Sequence, residues 1–495
     1  MIPNLSELFS LTAPEIVISV FLILVVFVDL IFHENKMPVM FTAAIGLIVA
    51  GVVIIKAMPD AGTVSNSYMV VSDKLGLYFK FIIVLTSLFI ILFSYDSNEI
   101  KESHLRQGEY YALIYGMVLG MFFLTSAVDL MLIYIALELL SLSSYVLAGF
   151  TDKETRNSEA SVKYLIYGAI SSAFMLFGIS LLYGFTGSTN LYVINEVLSS
   201  TPVNLYFLGF TVILIIAGIG YKISSVPFHF WTPDVYEGSP ITITAYLSVA
   251  SKAAGFALLI RFVSVAFIDH IKDNGEWILN GTFDWQTVLI ILSLLTMTVG
   301  NLSALWQKNI KRLLAYSSVA HAGYILLGIA VLTNVGLVSV MIYFAVYMLM
   351  NLGAFYVVML ISNKTGSEHI SQFDGIGYTM PYAGVALTIF LVSLTGLPPT
   401  AGFIGKLYLF IALLDSQMIL VALIALLNTV VSLYYYVRLL KHMYIKDYDQ
   451  SEEYEPQSGY SKIVLSMLVV PVLFFGIYWG PLVDFAKYCV DFIVK

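Results

Sequence analysis

The chain has 495 residues, of which 59% are hydrophobic and only 11% charged, against roughly 25% charged in an ordinary soluble domain; a water-soluble globular protein is excluded. A formal net charge of −8 excludes the basic surface that phosphate neutralisation requires, so no nucleic acid is expected as a partner. The one cysteine, Cys489, excludes an intrachain disulfide framework and an iron–sulfur cluster ligated by this chain alone.

A helical span needs about 20 apolar residues, and apolar runs bounded by charge, Gly/Pro or Asn/Ser clusters predict fourteen of them. The opening segment MIPNLSELFSLTAPE has two glutamates and no basic residue, so the first span is expected to stay as an anchor rather than be cleaved. The first three spans are predicted near Glu15 to Phe32, Pro38 to Ile55 and Gly76 to Tyr95. Five follow near Tyr110 to Thr125, Val128 to Phe150, Ser161 to Phe185, Leu205 to Ser224 and Ile241 to Ile268. The rest are placed near Trp285 to Trp306, Ile310 to Leu332, Val335 to Ser362, Met380 to Asp415, Gln417 to Met443 and Ile463 to Trp479. No polar connector is long enough for a separate domain, and the acidic run Asp447 to Pro456 reads as a solvated loop. The fold class is an all-α polytopic membrane protein.

Cytoplasmic connectors hold the excess of lysine and arginine. With the amino terminus outside, thirteen basic residues fall in inner connectors, Lys153, Lys311 and Arg312 among them, and six on the outer side, including Arg261 and Lys495. Both termini are therefore expected to face outward. Five lysines remain within spans: Lys80, Lys163, Lys222, Lys252 and Lys406.

Duplicated bundles place binding groups at corresponding positions. Tyr145-Val-Leu-Ala-Gly149 resembles Tyr324-Ile-Leu-Leu-Gly328 at an offset of 179, Ser161-Val162 matches Ser339-Val340 at 178, and Lys222 and Lys406 lie 184 apart. Two five-helix units, residues 108–268 and 285–445, are expected, the second inverted because each has an odd number of spans. Residues 1–107 would add three amino-terminal spans, and 446–495 the acidic loop and last span.

A charge at the bilayer centre costs about 2.5–3.5 kcal/mol on insertion scales, so intramembrane ions are expected to face one another or water. Lys222 lies in GYKISSVPFHFWTPDVYEGSP and Lys406 in TGLPPTAGFIGK, where prolines and glycines interrupt the helical ladder. Broken backbone at membrane depth belongs where it is buried in protein or lines a wet cavity. Spans seven and twelve are therefore expected to be broken along an ion path that includes Glu138 and Lys252. Lys163 lies nearer a span end, where snorkelling is an alternative. Lys80 reads as an interface anchor and Lys311 with Arg312 as a cytoplasmic anchor. His229 and His321 are either relays or satisfied core histidines. No metal-ligand cluster or nucleotide-binding glycine loop appears.

Together, KISSVPFHFWTPDVYEGSP, KNIKRLLAYSSVAHAGYILLG and TGLPPTAGFIGK resemble the proton-translocating, antiporter-like membrane subunits of respiratory complex I, the NADH:quinone oxidoreductase, over essentially the whole chain. WTPDVYEGSP and a lysine at position 406 are similar to the N-type branch. The resemblance implies Glu138 and Lys222 as a coupled acid and base pair, Lys163 near both, Lys252 as the central bridge, Lys406 as the terminal lysine, and His229 and His321 on the same polar axis. It also implies that FMN, iron–sulfur clusters and quinone are carried by partner subunits and none by this chain. The expected partners are the other complex I membrane subunits, the peripheral arm and the lipid bilayer. A bacterial inner-membrane setting is expected from the length and the missing targeting segment. A subunit of a cation/proton antiporter or membrane hydrogenase-type complex is the alternative.

Overall fold

The computed structural model describes residues 9–32, 34–59, 61, 69–103, 106–151, 155–201, 204–280, 283–446 and 457–490. The segment MIPNLSEL, Lys153, the Asp447–Pro456 run and Lys495 lie outside the described residues.

The chain opens with α1 (Ala13–Ile31), α2 (Met37–Ala57) and α3 (Lys74–Asp96). Next come α4 (Gln107–Ser126), α5 (Leu130–Ala148), α6 (Thr155–Thr186), α7 (Leu205–Ile223), the eight-residue α8 (Trp231–Gly238) and α9 (Ile241–Phe267), which contains a π turn at Leu247–Ser251. The later helices are α10 (Trp285–Ala304), α11 (Ile310–Ala330), α12 (Asn334–Thr365), α13 (Pro381–Thr395), α14 (Ala401–Asp415), α15 (Ile419–Tyr444), α16 (Gly459–Ile477) and α17 (Gly480–Val490). Among the described residues thirteen helices are long and apolar enough to cross a membrane. The fourteenth crossing is α13 with α14, two 15-residue halves of the predicted twelfth span. One departure from all-helical structure is a hairpin of Ile268–Ile271 against Trp277–Leu279, in a connector read only as polar.

Helix starts follow N-cap chemistry: the side chains of Asp73, Asp129, Asn204, Asp284, Asn309 and Thr333 each accept from a first-turn amide. These bonds satisfy donors that hydrocarbon would leave bare. Connectors sort into two faces. Val70 bridges Ala127, Asp129 bridges Asn190 and Glu276 bridges Thr333 on one, while Asn309 bridges His369 on the other. The second holds Arg156, Lys311 and Arg312 and is called the basic face below.

The innermost helices are α9, α11 and α12, whose most apolar stretches are 89%, 94% and 94% buried, against 22% for α1. Both repeats contain the same close helix contact. A Cβ on Gly120 of α4 would meet Leu140 N and Ala136 O of α5, and one on Gly300 of α10 would meet Ala320 N and Tyr316 O of α11. All three positions move by 180 residues, one more than the Tyr145/Tyr324 match. A slip of one residue turns a side chain about 100° around a helix, so by packing Glu138 corresponds to Ser318 rather than Ser317.

Two expectations about charge are corrected. Lys80 is not an interface anchor: it is 1% exposed and paired at 2.6 Å with Glu15, which also accepts from Ser126. Arg261 is not in a connector but within α9, 1% exposed, with both terminal nitrogens on Asp73 at 2.7 and 2.8 Å and Nε on the Thr125 carbonyl. Asp73, Lys80, Ser87 and Ser94 fall seven residues apart along α3, all buried, each answered by another helix: Arg261, Glu15, Tyr246 and Tyr111.

Removing one partner of a buried ion pair costs about 3–5 kcal/mol. Asp73→Leu should lower the thermal stability of the detergent-solubilised subunit by that order, and adding Arg261→Met should recover most of it. A single variant melting like the parent would contradict this.

Candidate functional site

The site begins on α5, where the Glu138 carboxylate accepts from the Ser172 hydroxyl of α6, itself 3.3 Å from the Tyr134 hydroxyl. One turn further along α5, Ser141 accepts from Lys222 Nζ at 3.2 Å. Among the described residues no ion pair joins Glu138 to Lys222 directly; the two are neighbours through one face of α5.

Lys222 sits on the last turn of α7, 1% exposed, and Ser224 then turns the chain out of the helix in the left-handed region, φ 62°. The break that follows is held from the second repeat, since Val226 N donates to Thr296 Oγ1 of α10 at 2.9 Å. The chain resumes as α8, whose Trp231 stacks on Tyr164 (centroids 4.5 Å apart, planes within 15°) and donates Nε1 to the Tyr221 carbonyl. Lys222 Nζ lies 5.8 Å from the centroid of that same Tyr164 ring. His229 is buried inside the break with its ring 4.7 Å from Phe230; among the described residues it bonds to none of the lysines.

Lys252 begins the regular part of α9 directly after the π turn, a feature that often marks functional positions. Its ammonium donates to the carbonyl and hydroxyl of Ser318 at 2.8 and 3.0 Å. Next on α11, His321 places Nδ1 2.8 Å from the Tyr343 hydroxyl and Nε2 3.3 Å from that of Tyr436, which is 2.5 Å from Ser317 Oγ. Tyr324, a turn later, stacks on Tyr343 and lies 4.8 Å beneath Lys406 Nζ.

Lys406 is six residues into α14, yet its side chain reaches back to the end of α13 and donates to the Thr395 and Leu394 carbonyls at 2.8 and 3.4 Å. These are carbonyls that the helix break leaves without amide partners. The halves meet closely: Gly402 N donates to Ser393 Oγ, and a Cβ on Gly402 would collide with the Ser393 carbonyl. The two break lysines are thus not at equal sequence positions, since Lys222 precedes its break and Lys406 follows its own. What they share is an ammonium at the carboxyl end of a half-helix, where the macrodipole favours a cation.

Lys163 lies apart from this row. It pairs with Glu159 and Asp234, both at 2.8 Å, at the basic face, and nine residues of helix, about 13 Å, separate it from Ser172. There Arg312 binds Asp234 at 2.6 Å and Glu237 at 2.9 Å; Arg156 and Lys311 bind Glu368 at 2.8 and 2.7 Å. These residues surround a polar cavity of about 210 Å³ lined by Arg156, Lys163, Asp234, Glu237 and Arg312. Burial alone would raise the carboxyl pKa values here, but the Lys163 and Arg312 partners hold Asp234 below its ordinary value, and Lys311 with Arg156 does the same for Glu368. The two anchors read from the sequence, Lys311 and Arg312, are therefore joints between helices.

Ser141, Ser318, Tyr324, Tyr343 and Tyr436 were not singled out from the sequence. A trace of them is present in YSSVAHAGY, where Ser317, His321 and Tyr324 repeat at spacings of four and three along one helix face. Among the described residues no group of His, Cys, Asp and Glu is arranged to hold a metal ion.

The profile of the NADH:quinone oxidoreductase/Mrp antiporter transmembrane family matches residues 127–432. Subunit N 2 of the NADH-quinone oxidoreductase of Chloroherpeton thalassium is 45% identical over 98% of this chain and 95% of its own. The chain belongs to the NADH:quinone oxidoreductase/Mrp antiporter membrane family. Subunit N of Chlorobium chlorochromatii, within the same family, is 44% identical over 96% of this chain and 93% of its own. A chain of respiratory complex I from Thermus thermophilus superposes with a TM-score of 0.77 at 28% identity, covering 95% of this chain and 98% of that one. A chain of the Mrp complex of Dietzia shares the fold, with a TM-score of 0.84 at 19% identity over 98% and 97%.

A carboxylate with a depressed pKa stabilises the fold above its ordinary titration range and loses that contribution as pH falls through the depressed value. Glu368→Gln should therefore lower the melting temperature by the same amount across neutral and alkaline pH. The difference should close below pH about 4, and a difference that first opens in acid would contradict the pairing.

Proposed function

We propose that this chain is the N-type proton-translocating membrane subunit of a bacterial NADH:quinone oxidoreductase, coupling electron transfer from NADH to quinone with proton movement through Glu138 and its buried lysines. The observation that carries this reading is the row of buried ammonium groups, Lys222, Lys252 and Lys406, each resting on hydroxyls, carbonyls or an aromatic ring, with no carboxylate within ion-pair distance among the described residues. Ionisable groups at membrane depth are costly and mark ion and proton paths, which suits groups that take up and release protons in turn.

In this reading Glu138 is the switchable charge. While its carboxylate is near, the proton on Lys222 is retained; when charge shifts in a neighbouring subunit weaken that attraction, the proton passes to Lys252 and on through Ser318, His321 and Tyr436 towards Lys406. His229 lies in the break after Lys222 as a relay position and Lys163 acts at the mouth on the basic face, which is the cytoplasmic one, with both termini outside. FMN, iron–sulfur clusters and quinone belong to partner subunits: the peripheral arm and the other membrane chains.

Relatives named as NADH-quinone oxidoreductase subunits at 45% and 44% identity favour this over a cation/proton antiporter, where the likeness is at the level of fold. In assembled complex reconstituted into liposomes, Lys222→Ala should reduce NADH-driven proton pumping by at least about tenfold with the complex intact on native gels. Full pumping with that change would sink the proposal, as would proton flux that follows a sodium gradient instead of NADH.

A further inference from the structure

The ion-pair cluster on the basic face joins the two repeats. From the first come Arg156 and Lys163 of α6 and Asp234 and Glu237 of α8; from the second come Lys311 and Arg312 of α11 and Glu368 after α12. Around it, Lys311 also donates to the Ser239 carbonyl at 2.6 Å and Asn309 to Glu368 at 3.1 Å.

The element held at the centre is α8, eight residues long and severed from α7 by the break. A helix this short has little stability of its own, and the interrupted ladder does not transmit the direction of α7 to it. Its position is set by what it touches. Asp234 and Glu237, three residues apart on one face, are both taken by a single guanidinium, that of Arg312, at 2.6 and 2.9 Å. At the start of the same helix Trp231 stacks on Tyr164 and bonds the Tyr221 carbonyl, one residue before Lys222. Lys222 Nζ lies over that Tyr164 ring. The contacts therefore run Arg312, Asp234 and Glu237, α8, Trp231, Tyr164, Lys222.

We propose that Arg312 is a positioning residue through which the second repeat sets the surroundings of Lys222 in the first, acting by way of α8 and Trp231. Among the described residues Arg312 bonds to neither Lys222 nor Tyr164; one of its nitrogens, Nη1, donates to both carboxylates at once, so a single positive donor ties Asp234 to Glu237. A displacement of α11 during turnover would then move the stacked ring beside Lys222 without any change in Glu138, giving the two half-sites a mechanical link in addition to the electrostatic one. This rests on Lys222 carrying protons, as proposed above.

The test uses assembled complex in proteoliposomes and reads protons pumped per NADH oxidised for Arg312→Ala, Arg312→Lys, Trp231→Phe and the Arg312→Ala/Trp231→Phe double variant. Lys222→Ala is the reference for the underlying function, and Lys272→Ala, in an exposed pair, is the neutral control. Arg312→Ala should lower the ratio about threefold or more, Arg312→Lys should restore at least about half of it by keeping the charge, and the double variant should be no worse than the poorer single, as coupled positions require. Parental pumping by Arg312→Ala, no rescue by lysine, or additive losses in the double variant would overturn the proposal while leaving the role of Lys222 intact. Full pumping by Lys222→Ala would instead overturn the function it rests on. Should Arg312→Ala fail to assemble, Glu237→Gln removes only one of its two partners and should give a smaller loss in the same ratio; an unchanged ratio there counts against the proposal.

Discussion

The bonds from Lys406 to the carbonyls of Thr395 and Leu394 express the constraint on which the rest of the structure depends. Hydrocarbon offers nothing to a cation, so each ammonium at membrane depth must be answered by protein. A continuous helix answers it with side-chain hydroxyls or a shared carbonyl, as Ser141 does for Lys222 and Ser318 for Lys252; a broken one offers carbonyls that no amide has taken, as it does to Lys406. Breaking α7 at Ser224 and separating α13 from α14 frees polar backbone inside the bundle, and a lysine stands at each place. The lysines and the carbonyl ends they meet are buried, while Pro227, Phe230 and Leu397 to Pro399 of the same breaks are exposed on the surface of this chain.

The two repeats use this device with different chemistry. The first has a carboxylate, Glu138, close to its break lysine. By the packing contacts its counterpart in the second is Ser318, whose oxygens hold the ammonium of Lys252, and further bonding is by tyrosine hydroxyls around His321. A duplicated scaffold therefore carries one half-site that contains an acid and another built of hydroxyls and an imidazole.

Charge also does purely structural work. The stripe Asp73, Lys80, Ser87 and Ser94 is spaced by seven along α3, close to two helical turns, so all four face inward and each meets a different helix or a different part of α9. In lipid, apolar matching alone orients helices weakly, because lipid tails are as apolar as leucine; a row of paired polar groups fixes the rotation and height of α3. The basic-face cluster serves the same end for α8, which has no ladder to hold it.

The sequence by itself determined the number of crossings, the two broken spans, the duplicated bundle and the placing of Glu138, Lys222, Lys252 and Lys406 within spans, because hydropathy, proline and isolated charge are local signals that hydrocarbon makes costly to violate. The tertiary structure alone decided the partners. Lys80 and Arg261 look like span-edge cations until Glu15 and Asp73, distant in sequence, are seen to bury them; Lys163 looks like a member of the proton row until Asp234 and Glu159 hold it at the surface; and a repeat offset of 179 becomes 180 only when helix contacts are compared. Which neutral hydroxyls fill the spaces between lysines was also invisible beforehand, since serine and tyrosine are common in helices of this kind and only close approach of helices far apart in the chain makes particular ones into a path.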